Sequence, residues 1–232
     1  MSRQIHLGNL NRKNENFAIK LLTFLAGFTH KTNLKRIRLA GCDIDRFGAK
    51  ALNRILASPC FSLEELDLQS NPIQSEGLGE VFKGLTAEEQ VNSLQKLSLS
   101  QINMDDKALR VVCKCLVHPN LQLRDLDLSG NYLHYQGTRI LVDSLIENRS
   151  LKRLNLASNF IKDEGAECVA FYLGLKICLL ESLDLSDNFI QTRGALALFD
   201  VLDPTTKQEE AGMLTSKNLY LKRLDVRKND LD

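Results

Sequence analysis

The sequence predicts an α/β solenoid of horseshoe form, with a parallel β-sheet on the concave face and α-helices on the convex face. Three observations predict it. The spelling Leu-x-x-Leu-x-Leu-x-x-Asn recurs with starts at Leu34, Leu63, Leu94, Leu123, Leu151, Leu180 and Leu221. Fourteen residues after the first six starts stand Gly48, Gly77, Ala108, Gly137, Gly165 and Gly194. Beyond that small residue the apolar spacing changes from every second residue to the period of about 3.6 that marks a helix.

Each part of the unit has a physical reason. The second and third leucine positions are two apart, as in Leu126/Leu128 and Leu154/Leu156, so both point to one side of a short strand. Ala166, Val169, Ala170 and Leu173 then fall on one helical face, as do Ala49, Leu52, Ile55 and Leu56, and also Ile140, Leu141, Ser144 and Leu145. One strand–turn–helix unit cannot bury both its strand and its helix face. Stacked neighbours can, so the core runs along the array. The asparagines Asn71, Asn131, Asn159, Asn188 and Asn229 have donors and acceptors suited to turning backbone.

This pattern resembles the leucine-rich repeat family, in its long ribonuclease-inhibitor-like subclass, over Leu34 to Asp232. Five of the seven repeats carry the asparagine. Cys42 is a substitute common in that family. Ile102 is not, so the third turn is expected to be distorted. Residues 1–33 read as a degenerate N-terminal capping repeat, with Phe17, Leu21, Leu22, Leu25 and Phe28 on an amphipathic helix. Residues 34–232 form the array, its last repeat truncated after the asparagine turn. The final strand, Lys222 to Val226, is expected to be an open edge. Either the chain continues past Asp232 in nature or a short form hides this end in another way. Residues 203–218 are a polar inserted loop.

Composition narrows the function classes. Thirty Lys and Arg against 29 Asp and Glu leave a net charge of +1, which gives no global attraction to nucleic acid or anionic membrane. No stretch has the roughly 18 uncharged apolar residues of a membrane span, and the N-terminus lacks the apolar core of a secretory signal. The six cysteines sit in apolar helical patterns or at a repeat position and read as reduced thiols, which places the chain in the cytoplasm or alternatively the nucleus. No nucleophile–base, P-loop or dinucleotide signature occurs. Cys113-x-Cys115-x-x-His118 is the nearest thing to a metal motif, but helical positions i and i+2 face apart. No catalytic residue, metal or cofactor is expected.

What remains is a surface for another protein. Between the paired leucines, on the concave side, stand Arg38, Asp67, Ser98, Asp127, Asn155, Asp184 and Asp225, flanked by Arg36, Asp125, Arg153, Arg223 and Arg227. The middle is acidic and the ends are basic. The candidates there are Asp67, Asp127, Asp184, Asn155 and Arg153. The residue after the asparagine is Tyr132, Phe160 and Phe189 in three successive repeats, so stacking should align three outward rings on one edge, near His134 and Tyr135. The resemblance implies scaffold, adaptor or inhibitor work, and a monomer is expected. Its alternative is regulation of a small GTPase, as by the Ran GTPase-activating protein.

Overall fold

The computed structural model describes residues 3–8, 17–87, 92–202 and 220–231. Among them eight strands form one parallel sheet in chain order: β1 (Arg3–His6), β2 (Leu34–Arg38), β3 (Glu65–Asp67), β4 (Lys96–Ser98), β5 (Asp125–Asp127), β6 (Arg153–Asn155), β7 (Ser182–Asp184) and β8 (Arg223–Asp225). Seven helices alternate with them: α1 (Phe17–Leu25), α2 (Arg46–Leu56), α3 (Gln74–Leu85), α4 (Asp106–Leu116), α5 (Tyr135–Glu147), α6 (Lys162–Leu173) and α7 (Thr192–Leu202). Each helix packs on the next, and the leucine-rich-repeat solenoid read from the sequence is the architecture found. The inserted loop 203–218 lies outside the described residues.

The register repeats without slippage from β2 onward, so Ile37, Leu66, Leu97, Leu126, Leu154, Leu183 and Leu224 stand side by side. The first six are buried. Burial of each such side chain stabilises by about 1.5–3 kcal/mol, so the stacking of repeats is what chiefly holds the fold together. Both helical faces named from the first and fifth repeats are buried throughout, whereas Ile140 of the fourth is only partly covered.

The asparagines form a second, polar ladder. Asn71 accepts the N–H groups of Cys42 and Ile44 on its Oδ1 and donates from Nδ2 to the carbonyls of Leu39 and Leu68. Asn131 does the same for Ile102, Met104, Leu99 and Leu128. One side chain thus satisfies backbone in two consecutive repeats. Cys42 stands in for it at the first repeat, where its thiol donates to the Leu7 carbonyl at 2.9 Å.

Two expectations are corrected. The third turn is not distorted: Gln101, just before Ile102, has φ 55°, matching the 55° to 64° of Gly41, Ser70, Gly130, Ser158, Asp187 and Lys228. The backbone is set by its neighbours, and the effect of Ile102 appears one repeat earlier. There no amide from position 102 supports Asn71 and Ile73, and the Ile73 N–H turns to the Asn71 carbonyl at 3.0 Å. The second correction concerns α1. Ala18, Leu22 and Leu25 are buried, while Phe17 and Phe28 are exposed, with Phe28 beyond the helix.

The small residue at position fourteen has a steric cause. A Cβ at Gly48, Gly77, Gly165 or Gly194 would lie within 3.0 Å of the Cγ2 of the isoleucine four residues earlier. Ala108 is tolerated where that earlier residue is unbranched Met104.

Candidate protein-binding surfaces

The rim between the C-terminal ends of the strands and the N-termini of the helices carries the aromatic residues. Tyr132 and Phe160 are held by a short parallel ladder of their own: the Tyr132 N–H donates to the Met104 carbonyl and the Phe160 N–H to the Leu133 carbonyl, both at 2.8 Å. This fixes their backbone and aims the side chains outward. The rings stack as the sequence suggested. Tyr132 and Phe160 centroids are 6.1 Å apart with planes at 8°, and Phe160 and Phe189 are 5.5 Å apart at 11°. His134 also stacks on Phe160, at 5.5 Å. Tyr132 is 50% exposed and Phe189 47%, while Phe160, covered from both sides, is half-buried. Tyr135 is exposed nearby.

Phe189 sits at φ 58°, in the left-handed region. A bulky aromatic residue is rarely found there, and such a conformation costs on the order of 1–3 kcal/mol. The ring is therefore kept on the ridge against a local backbone preference. Beside it an open groove of about 530 Å³ runs between Phe160, Phe189, Gln191, Asp230 and the first turn of α6.

The concave row is more constrained than a free binding surface. Asp67, Asp127 and Asp184 each accept, on Oδ1, the N–H two residues ahead, at 3.0, 3.0 and 2.9 Å, and Asn155 does the same for Ala157. Asp127 and Asp184 also take the hydroxyls of Ser129 and Ser186 on that same oxygen. These side chains tie off the strand ends, which gives the repeated aspartate a structural reason.

Charge on this face is mostly internally compensated. Arg38 and Arg36 meet Glu65 at 2.8 and 3.4 Å, Arg153 meets Asp125 at 3.0 Å, and Arg227 and Arg223 meet Asp225 at 2.6 and 3.4 Å. Hydrogen bonding from Arg38 holds the Glu65 carboxyl below its ordinary range, and Arg227 does so more strongly for Asp225. The basic ends read from the sequence are thus only partly compensated, with two arginines sharing one carboxylate at each end, Glu65 at one and Asp225 at the other. Among the described residues Asp67, Asp127 and Asp184 have no such ion pair, so the middle keeps its negative charge.

Two aspartates on the helical side bond across repeats, which the repeat pattern read alone does not reveal. Asp106, in the first turn of α4, accepts the His134 N–H at 2.8 Å, at the start of α5. Asp163 accepts the Gln191 and Gly194 N–H groups at 2.8 and 2.9 Å, capping α7 from the preceding helix. The signal was present: both stand twelve residues after a repeat start. No group of three or more His, Cys, Asp or Glu among the described residues is arranged to hold a metal ion. No described helix is long and apolar enough to cross a membrane.

A repeat model described as "Leucine Rich repeat" matches residues 60–81, 147–170 and 176–199. The chain is 31% identical over 226 residues to human (Homo sapiens) NACHT, LRR and PYD domains-containing protein 14, covering 82% of this chain and 20% of that protein. It is 28% identical to the mouse (Mus musculus) ribonuclease inhibitor, over 73% of this chain and 42% of the relative. It is 27% identical to RAN GTPase-activating protein 2 of Arabidopsis thaliana, over 62% and 26%. The chain therefore spans less than half the length of each of these relatives. The repeat matches, these relatives and the strand–helix register agree, and the chain belongs to the leucine-rich repeat proteins, in their ribonuclease-inhibitor-like class.

Proposed function

We propose that this chain is a non-catalytic protein-binding module, a scaffold, adaptor or inhibitor, that holds its partner by the aromatic ridge. The observation that carries the reading is the stacked row Tyr132–Phe160–Phe189, half exposed and kept there although Phe189 occupies a strained backbone region. Rigid, pre-stacked aromatic residues lose little conformational freedom on binding and anchor interfaces well. The negative centre of Asp67, Asp127 and Asp184 favours a partner whose concave-facing surface is basic; Asn155 and Arg153 lie between them. No enzymatic step is assigned to any side chain. The chain works in the cytoplasm or nucleus as a monomer. The relatives support a binding role: one is named for inhibiting ribonuclease and another for activating a GTPase.

The test is affinity purification from the source cell with wild-type chain and with Tyr132→Ser/Phe189→Ser as baits. This pair spares Phe160, whose removal would open the middle of the stack. A partner enriched by wild type and lost by the variant, with the melting temperature kept, supports the reading. A partner retained by the variant removes the ridge from it.

A further inference from the structure

The N-terminal end of the solenoid combines four features that the ridge does not use. First, β1 is the outermost strand of the sheet among the described residues. Arg3 and Leu7 give their N–H groups to Asn33 and Arg38 of the β2 side, so by the alternation of a ladder the backbone groups of Gln4 and His6 face outward. Second, an apolar stripe flanks the buried face of α1 and continues past the helix end. Phe17, Leu21, Phe24 and Phe28 follow at spacings of four, three and four, and Phe24 is 67% exposed. Third, that stripe leads into an open groove of about 600 Å³ floored by Ile5, Leu25, Leu34, Phe28 and Phe61. Phe28 stacks on Phe61 at 6.3 Å, and Phe24 meets Phe28 edge-on at 5.2 Å, so its aromatic wall is preformed.

Charge is the fourth feature and decides the occupant. Residues 3–8 and 17–42 contain Arg3, Lys20, Lys31, Lys35, Arg36 and Arg38 and no Asp or Glu. Glu64 and Glu65 compensate Lys35, Arg36 and Arg38 from the β3 side. Arg3, Lys20 and Lys31 have no ion pair among the described residues, and Arg3 and Lys31 border the groove. A chain of net charge +1 has therefore gathered uncompensated positive charge around an apolar groove and a strand edge that no other described strand pairs.

We infer that this end docks an extended acidic segment of a partner protein. The segment adds as a strand beside β1, seats a bulky apolar side chain in the groove, and sets carboxylates against Arg3, Lys20 and Lys31. Main-chain bonds supply affinity in such strand addition, and the pocket supplies selectivity. This surface lies at the far end of the array from Phe189 and is independent of the ridge.

The probe is a phage-displayed library of random peptides selected on the full chain, in parallel with Lys20→Glu/Lys31→Glu. The proposal expects wild type to enrich peptides with Asp or Glu around Leu, Ile or Phe. One such peptide, synthesised, should bind about tenfold more weakly to Lys20→Glu/Lys31→Glu and weaken with added salt, as screened charge pairs do. Gln4→Pro, which removes an outward N–H, and Phe24→Ser should each weaken it too, with melting temperatures unchanged. Tyr132→Ser/Phe189→Ser should bind it like wild type; loss there would place the peptide on the ridge and overturn the proposal. Enrichment without acidic character, or affinity indifferent to these N-terminal variants, overturns it as well. Phosphatidylserine vesicles form the third arm. Sedimentation with vesicles that Lys20→Glu/Lys31→Glu abolishes, with no acidic peptide enriched, would identify a lipid surface instead.

Discussion

Asp163 Oδ1 accepts the Gly194 N–H at 2.9 Å and occupies the space that a Cβ at Gly194 would need, 2.6 Å from its ideal position. One residue of α6 thereby caps α7, and the glycine of the next repeat exists partly to admit it. Asp106 likewise occupies the Cβ space of Gly137, and it accepts the His134 N–H at the start of α5. Gly194→Ala should destabilise by about 1–3 kcal/mol, the usual effect of a lost cap plus a steric conflict. Asp163→Ala/Gly194→Ala should lose less than the sum of the single changes, since the aspartate is half of the conflict. Denaturant titration of the four proteins checks this; strict additivity would sink the coupling.

The asparagine ladder makes a paired prediction. Asn131→Ile removes hydrogen bonds to Ile102, Met104, Leu99 and Leu128 from a buried site and should cost several kcal/mol, at about 1–3 kcal/mol per orphaned group. Ile102→Asn should do the opposite by supplying the amide that Asn71 and Ile73 lack, raising stability by about 1 kcal/mol. Thermal melts of the two variants should move in opposite directions.

Phe189 separates stability from binding. Phe189→Asn suits φ 58° and relieves backbone strain, while losing one exposed ring contact with Phe160. Stability should stay level or rise by about 1 kcal/mol. Phe160→Ser, which removes the ring stacked between Tyr132, His134 and Phe189, should lower it. Melting curves for the pair decide whether the ridge is held for its own packing or in spite of it.

Acid should loosen the concave face at its ends. The Asp225 and Glu65 carboxyls are held below their ordinary range by Arg227 and Arg38. A carboxylate with a depressed folded-state pKa stabilises above its unfolded value of about 4 and loses that contribution as pH falls through its folded value. Stability should therefore decline below about pH 4.5, and Asp225→Asn should flatten that limb while lowering stability at neutral pH. Arg227 is largely solvent-exposed, so screening keeps the effect modest. Urea midpoints between acid and neutral pH test the slope.

The fold was legible because it is written redundantly: Leu126, Leu128 and Asn131 say the same thing as their counterparts in the other repeats. The ridge was legible for the same reason, since Tyr132, Phe160 and Phe189 break the pattern at one fixed offset. What escaped were relationships across repeats. Asp163 stands in the first turn of α6, yet its hydrogen bonds go to the start of α7. Arg36 and Arg38 looked like basic ends until Glu65, a neighbour in register but 27 residues from Arg38, was seen to face them. Ile102 showed that a missing asparagine acts on the preceding repeat, which a repeat read alone cannot reveal. On α1 the sequence merged two apolar stripes into one, because both follow helical spacing and only α2 decides which is covered.

The most direct measurement is the equilibrium affinity of the purified partner for three proteins: wild type, Tyr132→Ser/Phe189→Ser, and Asp127→Lys/Asp184→Lys. A ridge that anchors the interface predicts at least about a tenfold weakening for the first variant, the range expected of exposed aromatic anchors, with an unchanged melting temperature. The charge-reversed protein should weaken too, and more so at low salt. Wild-type affinity in Tyr132→Ser/Phe189→Ser would contradict the account, leaving the stacked rings a packing device and moving the search for the binding surface elsewhere on the array.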